Sequence, residues 1–314
     1  VVLYNKEGAV TAMLDLYGRV LPTFKGAFHT HTTLSDGIFA PAEVVRLYRE
    51  AGYDILALTD HRKTNRVSEL DSMGLTLISG MEMHPAGPRG IPWHIVALNV
   101  PESFEYPEGL AAQDMIDLVN TLGGACVCAH PHWCGFTSAE VMTLKGFVGL
   151  EVFNTATRYI GKEYNMQLWD EMLDAGFMLP AFAVDDMHRP RDLFRGWTVV
   201  AAPDASPAAV LTALRQGDFY ATQGPEFHFL HFADGVFSAE FSPCTEVIGL
   251  TNFSGGYCVA VPDADGPGSG AKDCGAFTAT LQAKRPGTWF RLQIRDSQGR
   301  YAWSNPIAVP VVNA

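Results

Sequence analysis

The chain has 314 residues, 47% of them hydrophobic and 18% charged, with a formal net charge of −12. That length supports a large core in one or two domains, and no apolar run is long enough for a membrane-spanning helix. The acidic balance, with no basic stripe, argues against long nucleic acid as a partner and leaves a small phosphorylated molecule open where local cations offset the field.

From Gly26 to about Val200, short β-rich runs alternate with helix-like stretches. The runs cover 26–30, 54–59, 75–79, 93–99, 125–129, 148–153, 178–184 and 197–201. Helices fit 41–51, where Pro41 opens the first turn and Gly52 is the stop, and also 110–122, 138–144, 159–175 and 206–216. Apolar strands alternating with helices imply a parallel sheet with helices outside, and seven or eight such units favour a closed barrel over an open sheet. The segment before Gly26 reads as an entry hairpin with Gly18 near its turn. After Asp218 the composition changes. Aromatics alternate from Glu226 to Phe232, 261–273 reads as a loop, and strand-like runs follow at 276–283 and 288–295. Asp296-Ser-Gln-Gly299 then turns into 300–303. Residues 1–217 are therefore expected to form the barrel with its entry segment, and 218–314 a small antiparallel β appendage.

Six cysteines are scattered without a C-x-x-C pair, which suits free, mostly buried thiols in a reducing, cytoplasmic compartment. Cys126 and Cys128 sit inside an apolar run and read as buried strand residues rather than a soft metal site. The chain begins at Val1 and not Met, so a trimmed leader stays open.

The chemistry lies at the strand ends. His29 and His31 are two apart at the end of the first run, so both rings point to one face, and Ser35-Asp36-Gly37 follows. The second run ends in Asp60-His61, the third is followed by Glu82, His94 enters the fourth, and the fifth ends in His130. The seventh ends in Asp185-Asp186-Met187-His188. Six of the ten histidines thus lie at or beside strand ends. In a parallel barrel these ends open on one mouth, where imidazoles and carboxylates bind a divalent metal. His84 and His132 sit close behind these residues, where each fits either a partner of the ligands or substrate, or an exposed loop position, the latter favoured for His84. His228 and His231, in the aromatic run, read as structural.

These motifs resemble the PHP family, named for its polymerase and histidinol-phosphatase members. The matching pieces are His29-Thr-His31 with Ser35-Asp36-Gly37, Leu58-Thr-Asp-His61, Gly80-Met-Glu82, His94-Ile-Val, Ala129-His130-Pro131 and Asp186-Met-His188, in the family's order. The resemblance implies an α/β fold, a distorted (β/α)7 TIM-like barrel, that binds two or three divalent ions (zinc, iron or manganese) and hydrolyses phosphoesters. It implies one site from His29, His31, Glu82 and Asp186, a second from Glu82, His94 and His130, and a third from Asp36, His61 and His188, with Glu82 as a catalytically central bridge. Two departures stand out. Asp185 occupies a position where the family has a small residue, and His132-Trp133 replaces the small or basic residues that often follow the His-Pro pair.

The expected reaction is hydrolysis of a phosphate ester on a small metabolite or nucleotide by metal-activated water, with Asp60 supporting the metal histidines. Phosphate contacts are expected from Arg62, Lys63, Arg189 and His132, which lie on loops at the same mouth. Rival readings are hydrolysis of a carboxyl ester, amide or carbamate, and a non-catalytic metal-stabilised scaffold.

Overall fold

A computed structural model describes residues 3–4, 10–263, 266, 270, 272–283 and 285–311. Two short paired strands, β1 (Leu3–Tyr4) and β2 (Val10–Thr11), precede the expected hairpin, in which β3 (Met13–Leu16) runs antiparallel to β4 (Arg19–Ala27). Tyr17 and Gly18 form its two-residue turn with φ of 52° and 84°, the backbone that matches the twist of the flanking strands.

The strands around the candidate site are β4, β5 (Ile55–Leu58), β6 (Thr76–Met83), β7 (Ile95–Leu98), β8 (Ala125–Cys128), β9 (Phe147–Asn154) and β10 (Ala181–Val184). They are paired in that order, each with the next. Beyond the last of them, Thr30 and Met187 form an isolated bridge, and the His31 amide donates to the Met187 carbonyl at 2.9 Å. The result is a mixed α/β fold around one large, strongly curved sheet. Helices α1 (Pro41–Glu50), α2 (Ala112–Thr121), α3 (Pro131–Cys134), α4 (Ser138–Val141), α5 (Met166–Asp174) and α6 (Pro207–Gln216) fill the links.

Two expectations are corrected. The sheet is not uniformly parallel: β7 runs antiparallel to both β6 and β8, and β11 (Trp197–Ala201) runs antiparallel to β4. The links 84–94 and 185–196 are short and hold only single 3₁₀ turns, and a parallel crossover needs about a dozen residues or more. The expected helix over 159–175 is also divided. A 3₁₀ turn, Ala156–Ile160, stops at Gly161 with φ 70°, and α5 starts afresh at Met166.

Beyond Asp218 the chain forms β12 (Phe219–Thr222), β13 (Phe227–Ala233), β14 (Val236–Cys244), β15 (Glu246–Thr251), β16 (Gly256–Ala260), β17 (Cys274–Thr280), β18 (Trp289–Arg295), β19 (Tyr301–Trp303) and β20 (Ile307–Ala308). These strands pair antiparallel with one another. They also continue the first part of the fold: β12 pairs with β11, and β13 runs parallel to β3. The loop expected over 261–273 falls partly outside the described residues. No helix among the described residues is long and apolar enough to cross a membrane. Cys126 and Cys128 are buried in β8, as expected, while Cys258 is exposed.

The seam between α5 and β18 carries a charge. Arg291 is buried, lies 4.5 Å over the Trp169 ring, and donates to both oxygens of Asp170 at 2.8 and 2.9 Å. Nearby, the Trp289 indole N–H donates to Asp174 at 2.9 Å. Removing a buried cation from a paired carboxylate leaves the carboxylate poorly compensated. Arg291→Met is expected to destabilise the fold by about 2–3 kcal/mol, the lower end for buried pairs because Asp170 is partly exposed. Urea unfolding checks this: a midpoint within error of the parent would show that the pair does not hold the seam.

Candidate metal centre

All the candidate ligands but Asp36, which sits on the loop after β4, are carried to one mouth by the end of a strand. His29 and His31 follow β4, His61 follows β5, Glu82 lies in the last turn of β6, His130 follows β8, and Asp186 and His188 follow β10. His94 reaches the same mouth from the other direction. Because β7 is antiparallel, its start, not its end, lies beside the ends of β6 and β8.

The floor consists of His29 and His31, both fully buried, with Glu82 and Asp186 above them. The two Nε2 atoms are 3.1 Å apart. They stand 3.2 and 3.1 Å from Asp186 Oδ1, and each lies 3.5 Å from Glu82 Oε2. Neither Glu82 Oε2 nor Asp186 Oδ1 has a hydrogen-bond partner of acceptable geometry, although nitrogens crowd both. Around a tetrahedral ion with bonds of about 2.0–2.2 Å, neighbouring ligand atoms stand about 3.3–3.6 Å apart. The His29, His31 and Asp186 donors stand 3.1–3.2 Å apart, close to that spacing, and Glu82 Oε2 lies 3.5 Å from both imidazoles, so the residues present fit a divalent ion.

Glu82 turns its other oxygen to a second group: Oε1 lies 2.6 Å from His94 Nδ1 and 3.3 Å from His130 Nε2. A third group forms around Asp36 Oδ1, with His61 Nε2 at 3.4 Å and His188 Nε2 at 3.3 Å. The expected ligands converge on one cluster, but the close groups cut across the sets that the resemblance implies: His31 joins Asp36, His61 and His188; His29 and His31 lie with Asp186; and Glu82 lies with His29 and His130 and again with His61 and His84. His84 is a correction. Its Nε2 faces inward, 3.1 Å from His61 Nδ1 and 3.5 Å from Glu82 Oε2, so it is no exposed loop residue. His228 and His231 lie in β13, outside these groups.

Three further buried carboxylates hold the site without facing its centre. Asp60 accepts from the amides and hydroxyls of Thr32 and Ser35 and from the Asn65 amide. It thereby fixes the loop that presents Asp36, and is a positioning residue rather than one that touches the reacting atoms. Gly37 lets that loop close: a Cβ there would stand 2.5 Å from the His31 carbonyl oxygen. Asp185 faces away and accepts from the Phe194, Arg195 and Gly196 amides and the Tyr48 hydroxyl, which leaves Asp186 as the inward carboxylate. Glu151, which sequence reasoning missed, sits in β9. Its Oε1 is 2.6 Å from His29 Nδ1, and its Oε2 accepts from the His130 amide and the Asn154 side chain. That contact orients His29 so that Nε2 is turned inward. Its only signal in sequence was a lone acid inside an apolar strand run.

The mouth is a cavity of about 270 Å³ lined by ligands together with Trp133, Thr157, Arg189 and Arg191. Arg189 is where it was expected, and Arg191 was missed. The other expected phosphate contacts are not brought to the cavity. Arg62 lies over the Tyr106 ring at 4.9 Å, with Glu108 at 3.9 Å. Lys63 donates to the Leu34 carbonyl at 3.0 Å. His132 turns to Tyr164 and Asn165, because its amide donates to Asn165 Oδ1 one residue into α3.

The charges are mutually adjusted. Burial works against Glu82 and Asp186 ionising, yet the surrounding imidazoles hold both well below the usual carboxylate range. Burial likewise opposes protonation of His29, His61, His130 and His188, but their neighbours raise all four, His61 to about 10 through Asp36 and Glu82. Burial prevails at His31, which falls to about 4. In the metal-free protein at neutral pH, protons thus supply the positive charge that the carboxylates need. A metal requires neutral imidazole, so binding releases those protons and affinity rises with pH until they are gone. Calorimetric titration with zinc at pH 7 in two buffers of different ionisation enthalpy should show net release of at least one proton per ion. Buffer-independent heats would contradict this charge balance.

No family model matches this chain. A 5′-3′ exoribonuclease of Haemophilus influenzae is 38% identical over 82 residues, which cover 24% of this chain and 29% of the relative. The chain therefore spans well under a third of that relative's length. Among solved structures, a two-domain protein of Bacteroides vulgatus containing a predicted PHP-like metal-dependent phosphoesterase shares the fold with a TM-score of 0.56 and 18% identity, over 94% of this chain and 95% of that one. A lesion-specific endonuclease of Pyrococcus furiosus aligns at a TM-score of 0.46 and 15% identity, over 62% of this chain and 56% of its own. The PHP resemblance of the motifs is thus matched by the fold.

Proposed function

We propose that this chain is a metal-dependent phosphoesterase that hydrolyses a small phosphorylated molecule, nucleotides included, with two or three divalent ions (zinc, iron or manganese) at the mouth of the curved sheet. The observation that carries the reading is Glu82. It is a buried carboxylate whose two oxygens face two separate groups of imidazoles in a cavity that also presents Arg189 and Arg191. When bound, such ions supply activated water and neutralise charge on phosphoryl oxygens. The chain's own residues do the rest. Glu82 would offer one oxygen to each of two ion positions, Glu151 fixes the orientation of His29, and Asp60 holds the loop that carries Asp36 toward His61 and His188. The guanidiniums of Arg189 and Arg191 suit a phosphate, which each can bind through two N–H groups.

A second reading, processing of an RNA 5′ end, is favoured by the exoribonuclease similarity over 82 residues. The net charge of −12 weighs against a long polyanion and for a mononucleotide or short oligonucleotide. A panel of nucleoside monophosphates, sugar phosphates, 5′-phosphorylated oligoribonucleotides, a carboxyl ester and an amide separates the possibilities. Turnover of the ester or amide alone would overturn the phosphoesterase reading.

Elemental analysis of protein purified without chelator is expected to give two or three ions per chain, and a ratio near one under saturating metal would refute the clustered centre. At saturating metal Glu82→Ala should lower kcat at least about a hundredfold, roughly 2.7 kcal/mol of barrier. His94→Ala should cost less, because His94 serves one ion position. Equal losses would show that Glu82 is no bridge.

A further inference from the structure

We propose that Trp133 forms a stacking subsite for a planar aromatic group, such as a nucleobase, on the substrate held at the metal centre; this rests on the phosphoesterase reading above. Trp133 lines the same cavity as Glu82 and His130, and yet 42% of it is exposed. Exposure alone would be ordinary for a single ring; what sets Trp133 apart is that its exposed indole lines the cavity that holds the candidate ligands. Its placement is built. Pro131 opens α3 directly after His130, the Trp133 amide donates to the His130 carbonyl at 2.9 Å, and Gly135 ends the turn in the left-handed region. The indole packs edge-to-face on His94 and His130, with ring centroids 5.3 and 5.1 Å away and planes 71° and 82° apart. Two imidazoles of one ion group therefore brace the ring.

The other lining residues say what else the ligand carries. Arg189 and Arg191 follow β10, whereas Trp133 follows β8, so guanidinium and indole stand on different rims with the β9 loop residues Ala156 and Thr157 between them. Arg191 is itself held, 3.8 Å over the Tyr159 ring. An anion at the ligand cluster with an attached flat ring matches this arrangement of metal-binding floor, cationic rim and aromatic rim.

Base–aromatic stacking is typically lost severalfold to a hundredfold when the aromatic is removed. The ratio of kcat/KM for adenosine 5′-monophosphate over ribose 5-phosphate is therefore expected to exceed ten in the parent, to fall about tenfold or more in Trp133→Leu, and to recover in Trp133→Phe. A ring that merely supports His94 and His130 would lower both substrates together and leave the ratio unmoved, which overturns the proposal. Adenosine, which has no phosphate, supplies the independent arm: it should quench tryptophan fluorescence of the metal-loaded parent and not of Trp133→Leu. Quenching without turnover of any phosphoester would keep the stacking subsite and sink the phosphoesterase reading. Turnover with neither quenching nor a changed ratio would do the reverse.

Discussion

Buried negative charge governs this structure. Glu82 and Asp186 are almost wholly withdrawn from water, and an isolated carboxylate in that position would cost several kcal/mol or give up its charge. Neither happens, because imidazoles from six strand ends converge on the two groups. The crowding explains two facts at once: two carboxylate oxygens lack a hydrogen-bond partner of good geometry, and neighbouring imidazoles have opposite proton affinities. A cluster that needs cations, and can take them as protons or as metal ions, is what a divalent centre requires of its protein.

Around that centre, carboxylates of the same type do different work according to what donates to them. Asp60, Asp185 and Glu151 are as buried as Glu82, but each is satisfied by amides, hydroxyls or an imidazole facing away from the cavity. They convert flexible strand ends into fixed loops. Asp186 has a φ of 50° and His130 of 24°, backbone that costs energy for residues other than glycine. The strain falls at two inward-facing ligands and is held by these second contacts.

The mouth follows a looser logic. Trp133, Arg189 and Arg191 sit on connections rather than strands, where side chains can vary without disturbing the sheet. The deeper residues are those tied by burial and hydrogen bonds. Substrate choice would then rest on a few loop positions above a centre that tolerates little change. Among the described residues, none of the C-terminal strands lines the cavity; they extend the sheet from β11 and meet α5 through Arg291.

Much of the centre was legible in the chain itself. His29 and His31 share a face because strand residues two apart must, and the apolar runs that end in Asp60-His61, His130 and Asp186-Met-His188 mark strand ends without knowledge of the fold. The entry hairpin was legible too, from Gly18 and its turn. Strand direction was not. A run such as 93–99 has the same pattern whichever way it points, and it is the short link 84–94 that turns β7 round and brings His94 to the mouth from its start. The inward turn of His84, the grip of Glu151 on His29, the presence of Arg191 in the cavity lining and the absence from it of Arg62, Lys63 and His132 were likewise beyond reach. Each depends on partners far away along the chain. Periodicity along a strand sets which face a residue occupies, but where a loop side chain points is set by contacts that exist only once the chain has folded.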